Sequence, residues 1–257
     1  MCKLCKTLEE KHKVFIKACS NGDLEVVVEY LKDTRVVPSD DNNYAIRWAS
    51  ANGHLKVVKE LLKDPRVDPS DCNNRAINWA SHNGHLEVVK ELLKDPRVDP
   101  SDNDNYSIRW ASENGHLEVV KELLKDPRVD PSDYENDAIK VASENDNLEI
   151  VKELLKDSRV DPSDDNNYAI ISASERGNLE IVKELLKDPR VDPSDDRNAA
   201  IMYASDFGYL EILKELLKDP RVDPSDKDNS AIIYASEKGH VEIVKELLKN
   251  YKYVRAA

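Results

Sequence analysis

Ala18, Ala49, Ala80, Ala111, Ala142, Ala173, Ala204 and Ala235 stand 31 residues apart. A period of that size means that no single unit buries its own apolar face and that neighbours must stack to make a core. Around these alanines recurs a block such as NDNYSIRWASENGHLEVVKELLKDPRVDPSD, residues 103–133. With a divergent first copy, the copies fall at 1–40, 41–71, 72–102, 103–133, 134–164, 165–195, 196–226 and 227–257.

Each copy reads as two short helices and a loop. Asn43 and its equivalents at 74, 105, 136, 167, 198 and 229 precede the first helix, where Asn is a good N-cap. Gly53 closes that helix in the left-handed region. The segment HLKVVKELLKD then places Leu55, Val58, Leu61 and Leu62 on one face of a second helix. Pro65 and Pro69 make PRVDPSD a loop. Helices of about ten residues are marginal alone, so Ile46, Ala49, Leu55, Val58, Leu61, Leu62 and Val67 are expected between copies.

These features resemble the ankyrin repeat family. GHLEVVKELL at 84–93 and 115–124 matches its second helix, and YAIRWA at 44–49 and YSIRWA at 106–111 keep part of its TPLHxA motif. The family's usual period is 33 residues. The two missing here fall in the connecting loop, where DPRVDPSD replaces a glycine-containing hairpin. The resemblance implies an all-α, ankyrin-type solenoid of eight stacked helix-turn-helix repeats with short loops in place of β-hairpins. It implies a single domain over 1–257: an N-terminal capping repeat (1–40), six internal repeats (41–226) and a C-terminal repeat with tail (227–257). The wording of the repeats is similar to that of ankyrin proteins from large DNA viruses of amoebae. That likeness implies a viral protein with a host protein as partner. Such proteins often carry an F-box-like segment as well, which this chain is expected to lack.

Composition narrows the function. The net charge of -13 argues against general binding to nucleic acid or an anionic membrane. No apolar run is long enough for a membrane span or a signal peptide. Four cysteines make no disulfide framework, and the Cys2–Cys5 pair, without a second CxxC, reads as free thiols. The expectation is a reduced, intracellular, cytoplasmic protein. No GxGxxG, GxxxxGK[ST], HExxH or GxSxG occurs, and the Asp and Glu residues repeat with the scaffold. Neither enzyme activity, cofactor nor metal is expected. The His54, His85, His116 and His240 column reads as the family's loop-bonding histidine. Arg66 and its equivalents are expected to pair with Asp68 and its equivalents.

Positions that vary between copies carry the partner-binding signal. The family holds partners with loops and first helices on its concave side. By position that implies Tyr44, Arg47, Arg75, Tyr106, Arg109, Tyr134, Tyr168, Arg176 and Phe207, since Tyr and Arg are enriched at interface hot spots. Trp48, Trp79 and Trp110 belong either to packing between repeats or to the same face. The Arg residues have a structural alternative, bonding to loop carbonyls. Phe207 with Tyr209, Met202 and Tyr203 suggests an apolar patch. Copy five is acidic, and Asp146 replaces the closing glycine, which makes it the expected soft point. At the ends, Thr7-x-x-Glu10 is a capping box and Lys17 replaces the tryptophan, as suits an outer layer. At the other end either Tyr251, Tyr253 and Val254 cover the last apolar face of a monomer, or that face self-associates.

Overall fold

The computed structural model describes residues 7–254, apart from the side chains of residues 227 and 251–254. Among the described residues there is no strand, and the helices pair repeat by repeat. They divide into two compact units, 1–130 and 131–257. The first unit contains α1 (Leu8–Asn21), α2 (Leu24–Leu31), α3 (Asp40–Ala51), α4 (Leu55–Leu62), α5 (Asp71–His82), α6 (Leu86–Leu92), α7 (Asp102–Glu113) and α8 (Leu117–Leu123). The second contains α9 (Asp133–Glu144), α10 (Leu148–Leu154), α11 (Asp164–Arg176), α12 (Leu179–Leu185), α13 (Asp195–Phe207), α14 (Leu210–Leu216), α15 (Asp226–Glu237) and α16 (Val241–Val254). In each unit the odd-numbered helices stack in one layer and the even-numbered helices in another. Cys2 and Cys5 lie outside the described residues, as do the side chains of Tyr251, Tyr253 and Val254.

The core follows from the repeat. Ala45, Ile46 and Ala49 of α3 are fully buried, so adjacent first helices approach closely over small side chains. Val57, Val58 and Leu61 of α4 seal the second layer. Leu55 and Leu62, expected to share that face, are only half-buried, and Val57 takes the interior position. Each loop drives one valine inward: Val36, Val67, Val98 and Val129 in the first unit, Val160, Val191 and Val222 in the second. The capping box forms at the start of α1, where the Thr7 N–H donates to Glu10 Oε2 at 3.0 Å and the Glu10 N–H to Thr7 Oγ1 at 3.2 Å.

The expected asparagine cap does not form. Asp41, Asn42 and Asn43 all lie in the left-handed region, at φ 51, 54 and 55°. The same three-residue turn recurs at 72–74, 103–105, 134–136, 165–167 and 196–198. Asn and Asp tolerate this region better than other residues with a side chain, which accounts for the DNN, NDN and DRN wording of most copies. Inside this turn Asn43 is buried and reaches the loop that leads into α5. Its Nδ2 donates to Asp71 Oδ2 at 2.8 Å, and its Oδ1 accepts the Asp68 N–H at 2.8 Å. Asp71 Oδ1 then accepts the Cys72 N–H, and Asp68 Oδ1 the N–H and hydroxyl of Ser70. The PSD sequence and the asparagine thus form one hydrogen-bonded clasp between the start of one first helix and the start of the next.

The arginine after each second helix pairs with a different aspartate from the one expected. Arg66 grips Asp64 with two bonds, Nε to Oδ1 at 2.9 Å and Nη2 to Oδ2 at 2.6 Å, and its Nη1 reaches the Val36 carbonyl of the preceding repeat at 2.9 Å. Asp64 sits two residues back on the turn that ends α4, in the right place for a planar fork. Asp68 is already used by Ser70. That bonding holds the carboxyl of Asp64, and those of Asp95, Asp126, Asp157, Asp188 and Asp219, below the usual range.

Candidate partner-binding surface

Within the first unit, α1, α3, α5 and α7 put equivalent residues in register. Tyr44, Arg75 and Tyr106 occupy one column and Trp48, Trp79 and Trp110 the next. The tryptophans are half-buried, so they pack between repeats and also show a face to solvent. Trp48 and Trp79 meet edge to face at 5.2 Å, and Tyr44 lies 5.6 Å from Trp48. Tyr106 is 3.8 Å from Trp110, and the His82 ring is 4.7 Å from it. Arg75 is exposed and lies over the Trp79 ring at 5.8 Å.

Two clefts open along this stripe. One, of about 420 Å³, is lined by Cys72, Asn73, Arg75, Asn78, Trp79, Asn103, Tyr106 and Trp110. The other, of about 370 Å³, is lined by His12, Lys13, Ile16, Lys17, Ser20, Tyr44 and Trp48. Sequence reasoning missed the contributions of Lys13, Lys17, His82 and Asn78. Their signal was their column: they stand at the positions of Tyr44, Trp48, Ala51 and Arg47.

Arg47 and Arg109, proposed as contacts, serve their own loops first. Arg47 is 7% exposed, and its Nη2 donates to the Asp41 carbonyl at 2.7 Å. Arg109 is half-buried, with Nη1 at 3.4 Å from the Asp104 carbonyl and the guanidinium over Tyr106. The long side chain reaches back to a carbonyl that the left-handed turn leaves outside the helix ladder, and Asn78 does the same to Asn73 at 3.0 Å.

In the second unit the candidates do not form one stripe. Tyr134 is exposed at a loop tip, at φ 53°. Tyr168 is exposed, and Lys140 lies over its ring at 5.8 Å while pairing with Asp165 at 3.1 Å. Burial, with Glu144 and Glu175 nearby, pushes the Tyr168 phenol up. Arg176 pairs with Glu144, which raises the guanidinium pKa further. Phe207 is exposed and stacks on Tyr209 at 6.2 Å; it holds the position of Arg176 one repeat on, and the Tyr209 ring lies over Gly177 beside Arg176, while Tyr168 stands in a different column.

The profile of the family described as ankyrin repeats (3 copies) matches residues 46–135, 77–166, 138–228 and 170–256. The chain is an ankyrin-repeat protein. Among curated proteins no relative matches it.

In this ankyrin protein the histidine column holds layers together. His54 Nε2 lies 2.8 Å from the Ser20 carbonyl, and His85, His116 and His240 reach the Ala51, His82 and Asp206 carbonyls. Each ring also lies on the preceding repeat's glycine. A Cβ at Gly22 would meet His54 Nδ1 at 2.6 Å, so this glycine is needed for space as well as for its φ of 80°. Tyr209 takes the place of the imidazole over Gly177. Where Asp146 replaces glycine, at φ 60°, the overlying residue is the shorter Asn178, which donates to the Ser143 carbonyl at 2.8 Å. Among the described residues no cluster of His, Cys, Asp and Glu could hold a metal ion, and no helix is long and apolar enough to cross a membrane. Cys19 is fully buried, and desolvation pushes its thiol up to about 12.

Proposed function

We propose that this ankyrin-repeat protein is a non-catalytic scaffold that binds a protein through the first-helix face of its first unit. One observation carries the reading. Tyr44, Trp48, Trp79, Tyr106 and Trp110 form a half-exposed aromatic stripe beside the exposed Arg75, flanked by two clefts. Large rigid aromatics with an adjacent guanidinium are what binding hot spots are made of. Tyr134, Tyr168, Arg176 and Phe207 add contacts in the second unit. The likeness of the repeats to viral ankyrin proteins favours a host protein in the cytoplasm as partner.

The test is affinity capture from eukaryotic lysate with the wild type and a Tyr44→Ala, Arg75→Ala, Tyr106→Ala variant that circular dichroism shows to be folded. A protein captured by the wild type and lost by the variant supports the reading. Equal capture by both refutes it. A second reading, self-association through the last repeat, has its own observation. Ile233, Tyr234, Val241 and Leu248 are exposed together on α15 and α16, a sticky surface for a solenoid. A mass by light scattering that stays monomeric across concentration refutes that reading.

A further inference from the structure

The face just described is cationic in an acidic protein. At the three register positions that define it, the first unit carries Lys13, Ile16 and Lys17, then Tyr44, Arg47 and Trp48, then Arg75, Asn78 and Trp79, then Tyr106, Arg109 and Trp110. That is five cations and no carboxylate in a chain of net charge -13. The corresponding positions of the second unit hold one cation, Lys140, and one carboxylate, Asp137. Lys17 and Arg75 are exposed, Lys17 on the rim of one cleft and Arg75 on the rim of the other. Lys13 is shared with Glu9 at 2.6 Å in an exposed pair, and such pairs exchange partners at little cost. Arg47 is buried with only a backbone carbonyl and the Tyr44 ring against its guanidinium, and its Nε has no partner. A buried charge without a counter-charge raises the local positive potential.

We propose that this face takes an acidic peptide in extended conformation, anchored by a bulky apolar side chain in the cleft beside Trp48 and by a hydrogen-bonding side chain in the more polar cleft beside Trp79. The inference rests on the reading of the face as a partner-binding site and adds the chemistry of the partner. The aromatic clefts receive the anchors, and Lys17 and Arg75 meet carboxylates between and beside them. One cleft lies between the first and second repeats and the other between the third and fourth, so they are two layers apart. At about 8–10 Å per layer the separation is roughly 16–20 Å, and an extended chain at about 3.3–3.6 Å per residue covers it in about five or six residues. Aromatics among cations would also suit a single-stranded nucleic acid. The stripe, however, lies on helices that begin with carboxylates, Asp40 and Asp41 on α3, Asp71 on α5, and Asp102 and Asp104 on α7. A continuous phosphate chain would meet those carboxylates with like charge, whereas a peptide places carboxylates only where the cations are.

The test is selection of twelve-residue peptides from a random displayed library on the immobilised full chain, with sequencing of the enriched pool. The expected pool is net acidic, with a bulky apolar residue about five or six positions from a hydrogen-bonding one such as Tyr, Asn or Gln. Affinity of a selected peptide, read by fluorescence anisotropy, should fall at least tenfold in a Lys17→Glu, Arg75→Glu variant. It should also fall as salt rises on the unmodified protein, a measure that needs no variant. A neutral or basic pool, no enrichment, or affinity indifferent to salt and to the charge reversal overturns the proposal. Tighter binding of an oligothymidylate than of the selected peptides also overturns it, in favour of nucleic acid. Failure here with continued loss of a captured protein in the Tyr44→Ala, Arg75→Ala, Tyr106→Ala variant would leave the binding face standing and remove only the acidic partner. Failure of both would remove the face itself.

Discussion

Replacing Asn74 by alanine should destabilise the first unit by about 3.5–5.5 kcal/mol. Asn74 is 4% exposed, accepts the Asp99 N–H at 2.8 Å and donates to Asp102 Oδ2 at 2.9 Å. Alanine orphans a partly buried N–H, at about 1–3 kcal/mol. It also removes a bond to a charged acceptor; Asp102 keeps the Asn103 N–H, so the low end, about 1.5 kcal/mol, applies. Holding alanine at φ 54° adds roughly 1 kcal/mol. Asn74→Gly removes only that last contribution and should recover about 1 kcal/mol. Asn74→Asp keeps the acceptor but sets a carboxylate against Asp102, so its deficit should shrink in mild acid. The assay is urea unfolding followed by tryptophan fluorescence. Trp48, Trp79 and Trp110 all lie in residues 1–130, so the signal reports the first unit alone. With a slope of about 2 kcal/mol/M, the midpoint should drop by about 2 M. A loss below about 1 kcal/mol for alanine, or a glycine variant weaker than the alanine one, would refute the clasp as the source of stability.

Four further outcomes follow from the same geometry. Gly53→Ala should cost about 2 kcal/mol or more, because Gly53 sits at φ 72° with His85 Nδ1 at 2.6 Å from the added Cβ. Asn178→His should likewise destabilise alone, and Asp146→Gly with Asn178→His should recover the loss, read as coupling in a double-mutant cycle. Tyr134→Asn and Glu135→Asn should each stabilise the second unit by about 0.5–1 kcal/mol in a circular-dichroism melt, since both residues sit near φ 55°. On acidification, Asp64, Asp95, Asp126, Asp157, Asp188 and Asp219 have folded pKa values lowered chiefly by their arginine hydrogen bonds. Their stabilisation is present above the unfolded pKa of about 4 and is lost as pH falls through the lowered folded values. Asp95→Asn should flatten that acid-side slope in pH-dependent unfolding, and an unchanged slope would contradict the assignment.

The repeat, the helix pairs, the glycine turns and the capping box were legible because each depends on local pattern. Val57 in place of Leu55 was not, because an eight-residue helix is too short for periodicity to fix which edge of the apolar face is deepest. Asn43 was misplaced for a physical reason. An Asn at a helix start offers the same chemistry to its own first turn or to a neighbour, and only the left-handed loop geometry decides between them. Arg66 was assigned to Asp68 by proximity in sequence, while the turn after α4 folds it back on Asp64. The aromatic stripe was visible as a column, but whether it faced outward depended on packing. The answer was both, with half-buried rings. For Arg47 the sequence left two roles open, a partner contact or a bond to a loop carbonyl, and it is the left-handed turn at 41–43 that turns the Asp41 carbonyl toward the guanidinium.

The bonds from histidine and arginine across repeats point one way. His54 reaches Ser20, His85 reaches Ala51, Arg66 reaches Val36 and Arg97 reaches Val67. In each case the later repeat satisfies a carbonyl of the earlier one. A ribosome delivers the earlier repeat first, so each newly emerged layer waits with open acceptors until its successor arrives. At about 5–20 residues per second, one 31-residue period takes roughly 2–6 s. For that interval the leading edge of the nascent chain is an unfinished surface, and the pace of translation sets how long it stays so.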